Sequence, residues 1–271
     1  MGIKLYEAGE RGTTKCLLCP HFCDIGLNKK GLCKNRKNID NKIQYLYFDR
    51  IFAMAVEPIE KKPFKGFLKG SKTLSIGIGR NCNLKCNFCE NFEISQEDDF
   101  KFLSISKDDI INTAKDHGCE SICATYNEPT ISYEFLIGLA EKCHQNGLKF
   151  ILKTNAYINK EPWINICKNV DAINIDYKGS KEYYKSVCGV KDYIVLNRIK
   201  EALNSDCHLE ISIPVYREDD KSYLEEFKEE ILSIDNSILV HLLKIHPSYK
   251  ITDKNVTTDS DVQEAKDILN D

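Results

Sequence analysis

The sequence lacks long hydrophobic runs and strong charge of either sign, and it contains few prolines and one tryptophan. No apolar stretch approaches the ~20 residues of a membrane-spanning helix, and the N-terminus has no apolar core like that of a signal peptide. The 271 residues carry a formal net charge of −3, which gives no electrostatic reason to expect nucleic acid or an anionic membrane as a partner. We therefore expect a cytoplasmic protein that binds neither membrane nor nucleic acid.

Cysteine, by contrast, is abundant, with thirteen residues in the chain. Without an export signal, reduced thiols are expected rather than disulfides. Six cysteines are scattered through apolar segments and are expected to be mostly buried small hydrophobes. Among these, Cys188 follows the fourth predicted strand and stays a candidate for a chemical role, as hydrogen donor or ligand, or else inert packing. The other seven form two tight groups, Cys16, Cys19, Cys23 and Cys33, and then Cys82, Cys86 and Cys89.

From about residue 74 onward, short apolar runs alternate with helical patterns. Strands are predicted at Leu74–Gly79, Ser121–Tyr126, Leu148–Lys153, Val170–Asp176, His208–Pro214 and Ile238–Ile245. Helices are predicted to begin at Ser106, an N-capping serine, and to span Ser132–Asn146, with a weaker one at Ser260–Leu269. Such alternation predicts an α/β fold with a parallel sheet, and six units suggest a partial (β/α)6 TIM-like barrel. We divide the chain into a small Cys-rich metal-binding N-terminal extension, residues 1–40, and a barrel domain, residues 41–271.

The second group of cysteines directly follows the first predicted strand, with the spacing Cys82-x3-Cys86-x2-Cys89. Thiolates are the preferred ligands of iron–sulfur clusters, and a four-iron cluster normally takes four of them. Three thiolates leave one iron open, which a chelating substrate can occupy. A zinc site usually has four ligands and paired cysteines, and three unrelated thiols are the other alternative.

This loop, with the aromatic Phe88 just before its third cysteine, is the signature of the radical S-adenosylmethionine (SAM) superfamily. The chain also resembles the AmmeMemoRadiSam-system radical SAM enzymes, which are relatives of the pyruvate formate-lyase activating enzymes. The resemblance rests on several motifs in the same order: Cys16–Cys23 with Gly31–Cys33, Glu57–Pro63, Cys89–Ser95, Thr125–Thr130, Asn174–Gly179, Cys188–Gly189 and His246–Lys250.

The resemblance implies a [4Fe–4S] cluster held by three cysteines, with SAM chelating the fourth iron and a flavodoxin or ferredoxin as reductant. It implies that Glu128, with Asn127 beside it, contacts the amino group of SAM. It also implies that Asp176 and Lys178 lie near the methionine and ribose portions, and that His246 lies near the adenosyl end.

The third predicted strand departs from the activating-enzyme pattern. Those enzymes carry Asp-Thr-Asn-Gly, where the aspartate helps to bind a monovalent cation near SAM, whereas this chain has Lys153 at the aspartate position. A lysine cannot ligate a cation, but its ammonium group can occupy the same region. We therefore expect Lys153 to border the cofactor and to pair with Asp176.

The N-terminal group, Cys16-x2-Cys19-x3-Cys23-x9-Cys33, supplies four thiols within eighteen residues. Four cysteines suit either a structural zinc or a four-thiolate cluster. The spacing lacks the two Cys-x2-Cys pairs of common zinc ribbons, so we favour an auxiliary [4Fe–4S] cluster, which would relay an electron or hold substrate. His21, inside this loop, either replaces one cysteine or, as we expect, faces solvent.

The predicted function is that of a radical SAM enzyme, of oxidoreductase or activase type, that generates a 5′-deoxyadenosyl radical and abstracts hydrogen from a small molecule or peptide. An activase that places a glycyl radical on a partner protein is the alternative within the same class. A non-catalytic iron–sulfur electron carrier is the remote alternative, and it has no use for an open iron. The substrate itself is not readable from the sequence, because the loops that select it carry no general pattern.

Overall fold

The structure is a computed structural model that describes residues 3–97, 101–217, 221–251 and 256–270. Thirteen strands are present in these ranges: β1 Tyr6–Ala8, β2 Thr14–Cys16, β3 Asp24–Ile25, β4 Arg36–Ile39, β5 Lys42–Tyr45, β6 Arg50–Pro58, β7 Lys72–Ile78, β8 Leu103–Ser104, β9 Ser121–Ala124, β10 Lys149–Thr154, β11 Ala172–Asp176, β12 His208–Val215 and β13 Leu239–Lys244.

Eight α-helices lie between and after these strands: α1 Phe92–Ser95, α2 Lys107–Asp116, α3 Tyr133–Gln145, α4 Lys160–Asn169, α5 Lys181–Ser186, α6 Val195–Leu203, α7 Ser222–Phe227 and α8 Asp259–Asn270. Short 3-10 turns occur at Glu10–Gly12, Ile59–Lys61 and Pro129–Ser132, and a π-helical turn at Lys228–Leu232 continues α7. Within the described ranges, no helix has both the length and the apolar character that crossing a membrane would require.

The main sheet has eight strands in the order β13-β12-β11-β10-β9-β7-β6-β8. The six predicted strands are all present, and they pair in parallel in the order in which they occur along the chain. The parallel α/β sheet is therefore confirmed, while its closure toward a partial barrel stays a prediction. In such a sheet the carboxyl ends of the strands lie at one edge, where the following loops can build a site.

The sequence-based interpretation missed β6, which pairs antiparallel with β7 and also carries the short β8. This strand precedes the first βα unit, so the alternation of strand and helix gave no reason to expect it. It covers what would be the open edge of β7, and an uncovered edge is a template for unwanted pairing.

Local signals in the sequence predicted the start of α2 and both ends of α3 to within about one residue. Ser106 accepts a hydrogen bond from the backbone N–H of Asp109 at 3.1 Å, and the carboxylate of Asp109 accepts one from Ser106, which forms the expected capping box. Helix α3 buries the predicted apolar face, and Gly147 follows its end with φ +74°. All six scattered cysteines, Cys188 among them, are buried, as expected.

The N-terminal part forms a small antiparallel sheet, β1-β2-β3, and the hairpin β4–β5. Cys16, Leu18 and Ile25 from this part belong to the same hydrophobic core as the strands and helices of the main sheet. The division that we drew after residue 40 falls in the turn of the hairpin β4–β5, where Ile39 pairs with Lys42. The division into two domains stays a prediction.

Candidate active site

A cavity of about 220 Å³ lies at the carboxyl ends of the parallel strands. Most of the residues singled out in the sequence line it together: Cys82, Cys86, Phe88, Cys89, Asn127, Glu128, Lys153, Asp176, Lys178 and His246. They come from the segments that follow β7, β9 and β13 and from the ends of β10 and β11. Cys188 does not line this cavity, and the four N-terminal cysteines line a different one.

The three-cysteine loop surrounds its thiols with polar groups. The backbone N–H of Leu84 points at Cys82 Sγ at 3.3 Å, and Asn155 Nδ2 lies 3.5 Å from the same sulfur. Cys89 Sγ and the hydroxyl of Ser95 lie 3.1 Å apart. Because hydrogen-bond donors around a ligand sulfur orient it and tune a bound metal, this arrangement suits three thiolate ligands.

Cys188 lies behind the loop rather than in the cavity. Its thiol contacts the thiol of Cys86, and its backbone oxygen accepts a hydrogen bond from Lys85 N at 2.8 Å. The side chain is buried. This position brings Cys188 against a predicted cluster ligand but leaves it without direct access to a molecule in the cavity.

Three of the turns that lead into the cavity contain non-glycine residues in the left-handed backbone region. They are Asn81 after β7, Tyr126 after β9 and Ala156 after β10, with φ values of +55°, +74° and +53°. Such residues cost on the order of 1 kcal/mol or more each and collect at functional sites, where the surrounding structure holds them. This repeated strain marks the same edge of the sheet as the motif residues do.

The motif Glu57–Pro63 holds Tyr126 in its strained conformation. Tyr126 donates its hydroxyl hydrogen bond to Glu57 at 3.1 Å, and the ammonium group of Lys62 lies 4.5 Å from the centre of the Tyr126 ring. Lys62 also forms an ion pair with Glu57. The motif therefore supports the wall of the cavity from strand β6.

Glu128 is buried at the end of β9, and its carboxylate already accepts four hydrogen bonds. Three reach Oε1, from the backbone N–H and the hydroxyl of Thr130 and from the hydroxyl of Thr154, at 2.6–3.0 Å. The fourth runs from Asn155 N to Oε2 at 2.8 Å. Burial raises the pKa of Glu128, while these donors oppose the shift. The side chain thus ties the ends of β9 and β10 together.

Asn127, by contrast, has a side-chain oxygen that accepts no hydrogen bond in the described structure. Its Nδ2 donates to the backbone oxygens of Ile78 and Asn81 at 2.9 and 3.0 Å. Its Oδ1 atom is buried and has no hydrogen-bond partner within the described structure. A buried polar atom without a partner is costly, so this oxygen fits a donor that arrives with a ligand.

Asp176 at the end of β11 is held between two ammonium groups. Lys153 pairs with it, as predicted from the sequence, and Lys178 Nζ lies 2.8 Å from Asp176 Oδ2. Burial alone would raise the pKa of Asp176, but the two lysines outweigh burial and hold it at about 2. Lys178 also lies over the ring of Phe88, with 5.8 Å between its Nζ and the ring centre. Two cations around one carboxylate leave one positive charge in excess, which suits an anionic group of a ligand.

His246 is exposed at the rim of the cavity, and the segment after it clamps the cysteine loop. Ser248 donates a hydrogen bond to the backbone oxygen of Cys89 at 3.1 Å, and Lys250 N donates to the backbone oxygen of Asn87 at 2.9 Å. Tyr249 stacks on Phe92, with ring centres 5.1 Å apart. The motif His246–Lys250 therefore also has a structural role that the sequence alone did not indicate.

The four N-terminal cysteines line a second, smaller cavity of about 10 Å³. Burial raises the pKa of Cys33 to about 11. Arg36 also lines this cavity and is 1% exposed, and its Nη2 pairs with Glu134. In the described residues, no three His, Cys, Asp or Glu side chains are arranged so that they could hold a single metal ion.

The expectation that His21 faces solvent is wrong. The ring is buried, packs edge-on against Tyr157, and donates a hydrogen bond from Nε2 to the backbone oxygen of Asn83 at 2.7 Å. The reason is that the N-terminal segment packs directly on the three-cysteine loop, so the His21 side chain has protein on both sides.

Comparison with known proteins agrees with this geometry. The sequence model of the radical SAM superfamily matches residues 76–231, more than half of the chain. The chain belongs to the radical SAM superfamily. A relative across nearly the full length is an uncharacterised protein of Methanocaldococcus jannaschii, MJ0808, which is 33% identical over 92% of this chain and 75% of its own length.

Among radical SAM enzymes of stated activity, a 4-hydroxyphenylacetate decarboxylase activating enzyme of Clostridioides difficile is 28% identical over 159 residues. This match spans 52% of the present chain and half the length of that enzyme. Among solved structures, Streptococcus suis SuiB bound to its precursor peptide SuiA has a TM-score of 0.54 at 20% identity, over 71% of this chain and 44% of SuiB. At that identity, the likeness concerns the fold alone.

The family accounts for the three cysteines of the catalytic loop, since its members bind SAM and an iron–sulfur cluster. Functional candidates that the sequence reasoning missed are Ser95, Asn155 and Arg36, which contact the cysteines or line their cavities. Asn155 lies two residues after Lys153, and Ser95 ends the motif Cys89–Ser95, so motif position alone could have indicated both. Arg36 is specified by a contact with the distant Glu134.

Proposed function

We propose that this chain uses a [4Fe–4S] cluster on Cys82, Cys86 and Cys89 to cleave SAM reductively and to remove hydrogen from a small-molecule or peptide substrate. The observation that supports it is the single cavity lined by three thiols, by the unpartnered Oδ1 of Asn127 and by the Lys153–Asp176–Lys178 group. With SAM on its open iron, such a cluster supplies one electron to the sulfonium and yields methionine and a 5′-deoxyadenosyl radical.

The side chains of the cavity have distinct proposed tasks. Asn127 Oδ1 accepts a hydrogen bond from the ammonium group of SAM, because among the described residues that line the cavity it is a buried acceptor without a donor. Glu128, which was expected to make that contact, instead holds the ends of β9 and β10 in place with its four accepted hydrogen bonds. Lys153 and Lys178 offer the excess positive charge to the carboxylate of SAM.

The outer part of the cavity is assigned to the adenosyl group and the substrate. His246 lies at the rim after β13, and Phe88 presents its ring beside Lys178. The segment Ser248–Lys250 holds the cysteine loop in its place. These residues orient the ligand and limit the access of water, which is the protein's share of radical chemistry.

An activase that installs a glycyl radical on a partner protein is the second candidate. It is favoured by the 28% identity to the decarboxylase activating enzyme over about half of this chain. Lys153 is evidence against an activase function. It occupies the position where the activating enzymes carry a cation-binding aspartate, and its ammonium group is already paired with Asp176. We therefore favour direct modification of a small molecule or peptide.

At the N-terminus we propose a second metal centre on Cys16, Cys19, Cys23 and Cys33, with a [4Fe–4S] cluster favoured over zinc. The spacing of these cysteines lacks the two Cys-x2-Cys pairs of common zinc ribbons. Metal analysis after anaerobic reconstitution separates the cases. About eight irons per chain support two clusters, and about four irons with one zinc contradict the second cluster.

The proposed activity is tested by anaerobic incubation of the reconstituted protein with SAM and dithionite. We expect 5′-deoxyadenosine and methionine in equal amounts, and neither product from Cys86→Ala. Adding deuterated candidate molecules or peptides then identifies the hydrogen donor by deuterium in 5′-deoxyadenosine. A protein that holds its irons but neither binds nor cleaves SAM would instead be the non-catalytic electron carrier.

A further inference from the structure

The side of Arg36 that does not face Glu134 carries hydrogen-bond donors without acceptors. Nε and Nη1 are buried and have no partner in the described structure, and the side chain lines the four-cysteine cavity. A guanidinium cannot lose its proton to escape this cost. The N–H groups therefore need acceptors that arrive with whatever the cysteines bind. Thiolates and the inorganic sulfides of an iron–sulfur cluster are such acceptors, and a zinc ion adds none beyond the thiolates.

The four-cysteine cavity is separate from the SAM cavity, since the two share no lining residue. Of the two auxiliary roles considered for this centre, holding substrate is therefore the one that the geometry disfavours. A role in electron transfer requires only that the two centres be close and connected.

Two direct contacts connect this segment to the catalytic loop. His21 donates to the backbone oxygen of Asn83 at 2.7 Å, and the side-chain oxygen of Asn83 lies 3.8 Å from Cys82 Sγ. Asn83 also lines the four-cysteine cavity. Asn83 thus contacts Cys82 and borders the cavity of the N-terminal cysteines.

The second contact runs through Asn35. Its side chain donates to the backbone oxygen of Cys33 at 2.7 Å and accepts a hydrogen bond from Arg80 N at 2.8 Å. Gly79 comes so close that a Cβ there would lie 2.5 Å from Asn35 Oδ1, and its φ is +69°. A glycine is therefore required at this junction, and the two segments are held in fixed register.

The segment that carries the four cysteines exposes three apolar side chains and has an excess of basic residues. Phe22, Leu27 and Leu32 are exposed, and Leu32 is at the same time part of the cavity lining. Between Thr13 and Lys37 the sequence has six lysines and arginines and a single carboxylate, Asp24, although the whole chain is net negative. Lys29 and Lys30 are exposed there. A protein with an acidic surface fits this face, since charge complementarity guides such encounters.

We propose that the four-cysteine centre is where electrons enter the enzyme, and that Arg36 and Asn83 are its positioning residues. An acidic one-electron carrier, a reduced iron–sulfur or flavin protein, docks on the Phe22–Leu27–Leu32 face and is oxidised by one electron. That electron passes by way of Asn83 to the centre on Cys82, Cys86 and Cys89, and no bond is formed or broken on the way. This inference rests on the proposed function, in which both centres hold iron–sulfur clusters.

The identity of the centre is tested in the variant Cys82→Ala/Cys86→Ala/Cys89→Ala, which isolates it. We expect about four irons per chain and an electron paramagnetic resonance signal after reduction. Zinc or no metal in this variant overturns the proposal.

The role of Arg36 is tested in the same triple-cysteine variant. Arg36→Lys keeps the positive charge but loses the planar set of N–H donors, and Arg36→Gln keeps one donor group. In whichever variant circular dichroism shows to be folded, the midpoint potential falls, because fewer donors stabilise the reduced centre. An unchanged potential overturns the role of Arg36.

The route is tested with flavodoxin hydroquinone, which becomes the semiquinone as it gives up one electron, compared with dithionite. The readouts are the stopped-flow rate of cluster bleaching and the rate of 5′-deoxyadenosine formation. For Lys29→Glu/Lys30→Glu we expect the ratio of flavodoxin-driven to dithionite-driven rates to fall at least tenfold. The matched control is Lys65→Glu/Lys69→Glu, which makes the same charge change at two exposed lysines outside the N-terminal segment, and it should keep the wild-type ratio.

The outcomes of this second experiment are distinct. If both rates fall in proportion, or if the control variant behaves like Lys29→Glu/Lys30→Glu, the centre is not where electrons enter. If the wild-type protein holds its irons and accepts electrons from flavodoxin but does not cleave SAM with either reductant, the proposed function fails while the electron route stands.

Discussion

Two groups of cysteines lie on either side of Asn83, and they differ in the space around their thiols. The group Cys82, Cys86 and Cys89 lines a cavity of about 220 Å³, whereas the N-terminal group lines a smaller one of about 10 Å³. Three thiols beside the larger cavity suit a centre that takes a ligand on an open position. Four thiols match the number of ligands that saturates a cluster, so that centre needs no space for a further ligand. The two cavities thus differ as the numbers of cysteines predict.

The polar groups around the two centres differ in the same sense. Around the SAM cavity, Asp176 is shared by two lysines, and Asn127 offers an acceptor, so both signs of charge on an amino acid moiety find a partner. Around the N-terminal centre, Arg36 offers only donors. One site is thus equipped for a zwitterionic ligand and the other for an anionic metal centre.

The sharpest way to break this comparison is to remove one cysteine from each group. Cys86→Ala and Cys19→Ala should each cost about four irons per chain. With dithionite as the reductant, only Cys86→Ala should reduce SAM binding and 5′-deoxyadenosine formation to background, because the other centre has no open position. Iron analysis and equilibrium SAM binding are the measurements, with the buried Cys143→Ala as control. Equal loss of SAM binding in both cysteine variants would mean that the two centres are not functionally distinct.

The next largest effect is expected for Asp176→Asn. It leaves Lys153 and Lys178 buried beside a neutral amide, and removing one partner of a buried ion pair costs about 3 kcal/mol of unfolding free energy. SAM affinity should fall at least tenfold because the lysines lose their fixed positions. Urea unfolding and SAM binding test it. The control is Asp171→Asn at the opposite end of the same strand, where Asp171 pairs with Lys149; there, SAM affinity should not change.

The pH dependence of stability follows from the same carboxylate. Its pKa is lowered from 3.8 to about 2 in the folded chain. The folded state therefore binds the proton less readily than the unfolded state, so the stabilisation is present above about pH 4 and lost as the pH falls toward 2. Asp176→Asn should flatten the decline of stability between pH 4 and pH 2. An unchanged slope would show that Asp176 is not held as an anion by the two lysines.

A smaller effect is expected for Asn127→Ala, about tenfold in SAM affinity, which corresponds to about 1.4 kcal/mol for one hydrogen bond to a charged group. The variant also removes the bonds of Nδ2 to Ile78 and Asn81, so the proposed contact must be isolated. A SAM analogue without the amino group does this in a double-mutant cycle. Loss of the amino group should weaken binding to the wild type but not to Asn127→Ala. If both proteins lose the same affinity, Asn127 does not bind the amino group.

The sequence indicated the strands of the sheet and the members of the site, but not how the site is held together. The positions of the six parallel strands could be predicted because hydrophobic runs are local features, and the Lys153–Asp176 pairing could be predicted because both residues end strands of the same parallel sheet. Ser248 on Cys89 and Arg36 beside Glu134 join segments 159 and 98 residues apart, and no local period encodes such contacts. His21 was wrongly expected at the surface for the same reason. Strand β6 lay outside the βα alternation that guided the prediction.

The smallest effect is expected at the segment Ser248–Lys250, which contacts the three-cysteine loop. Tyr249→Ala removes the stacking on Phe92, which is worth about 1 kcal/mol for an aromatic pair. Phe92 directly follows the three-cysteine loop, and Ser248 binds the backbone oxygen of Cys89 in that loop. Loosening it should speed the loss of iron from the catalytic centre to a chelator several-fold, with little change at the other centre. Phe48→Ala, an exposed aromatic on the N-terminal side, is the control. Equal acceleration at both centres would mean that the rim segment stabilises the whole fold rather than the catalytic loop.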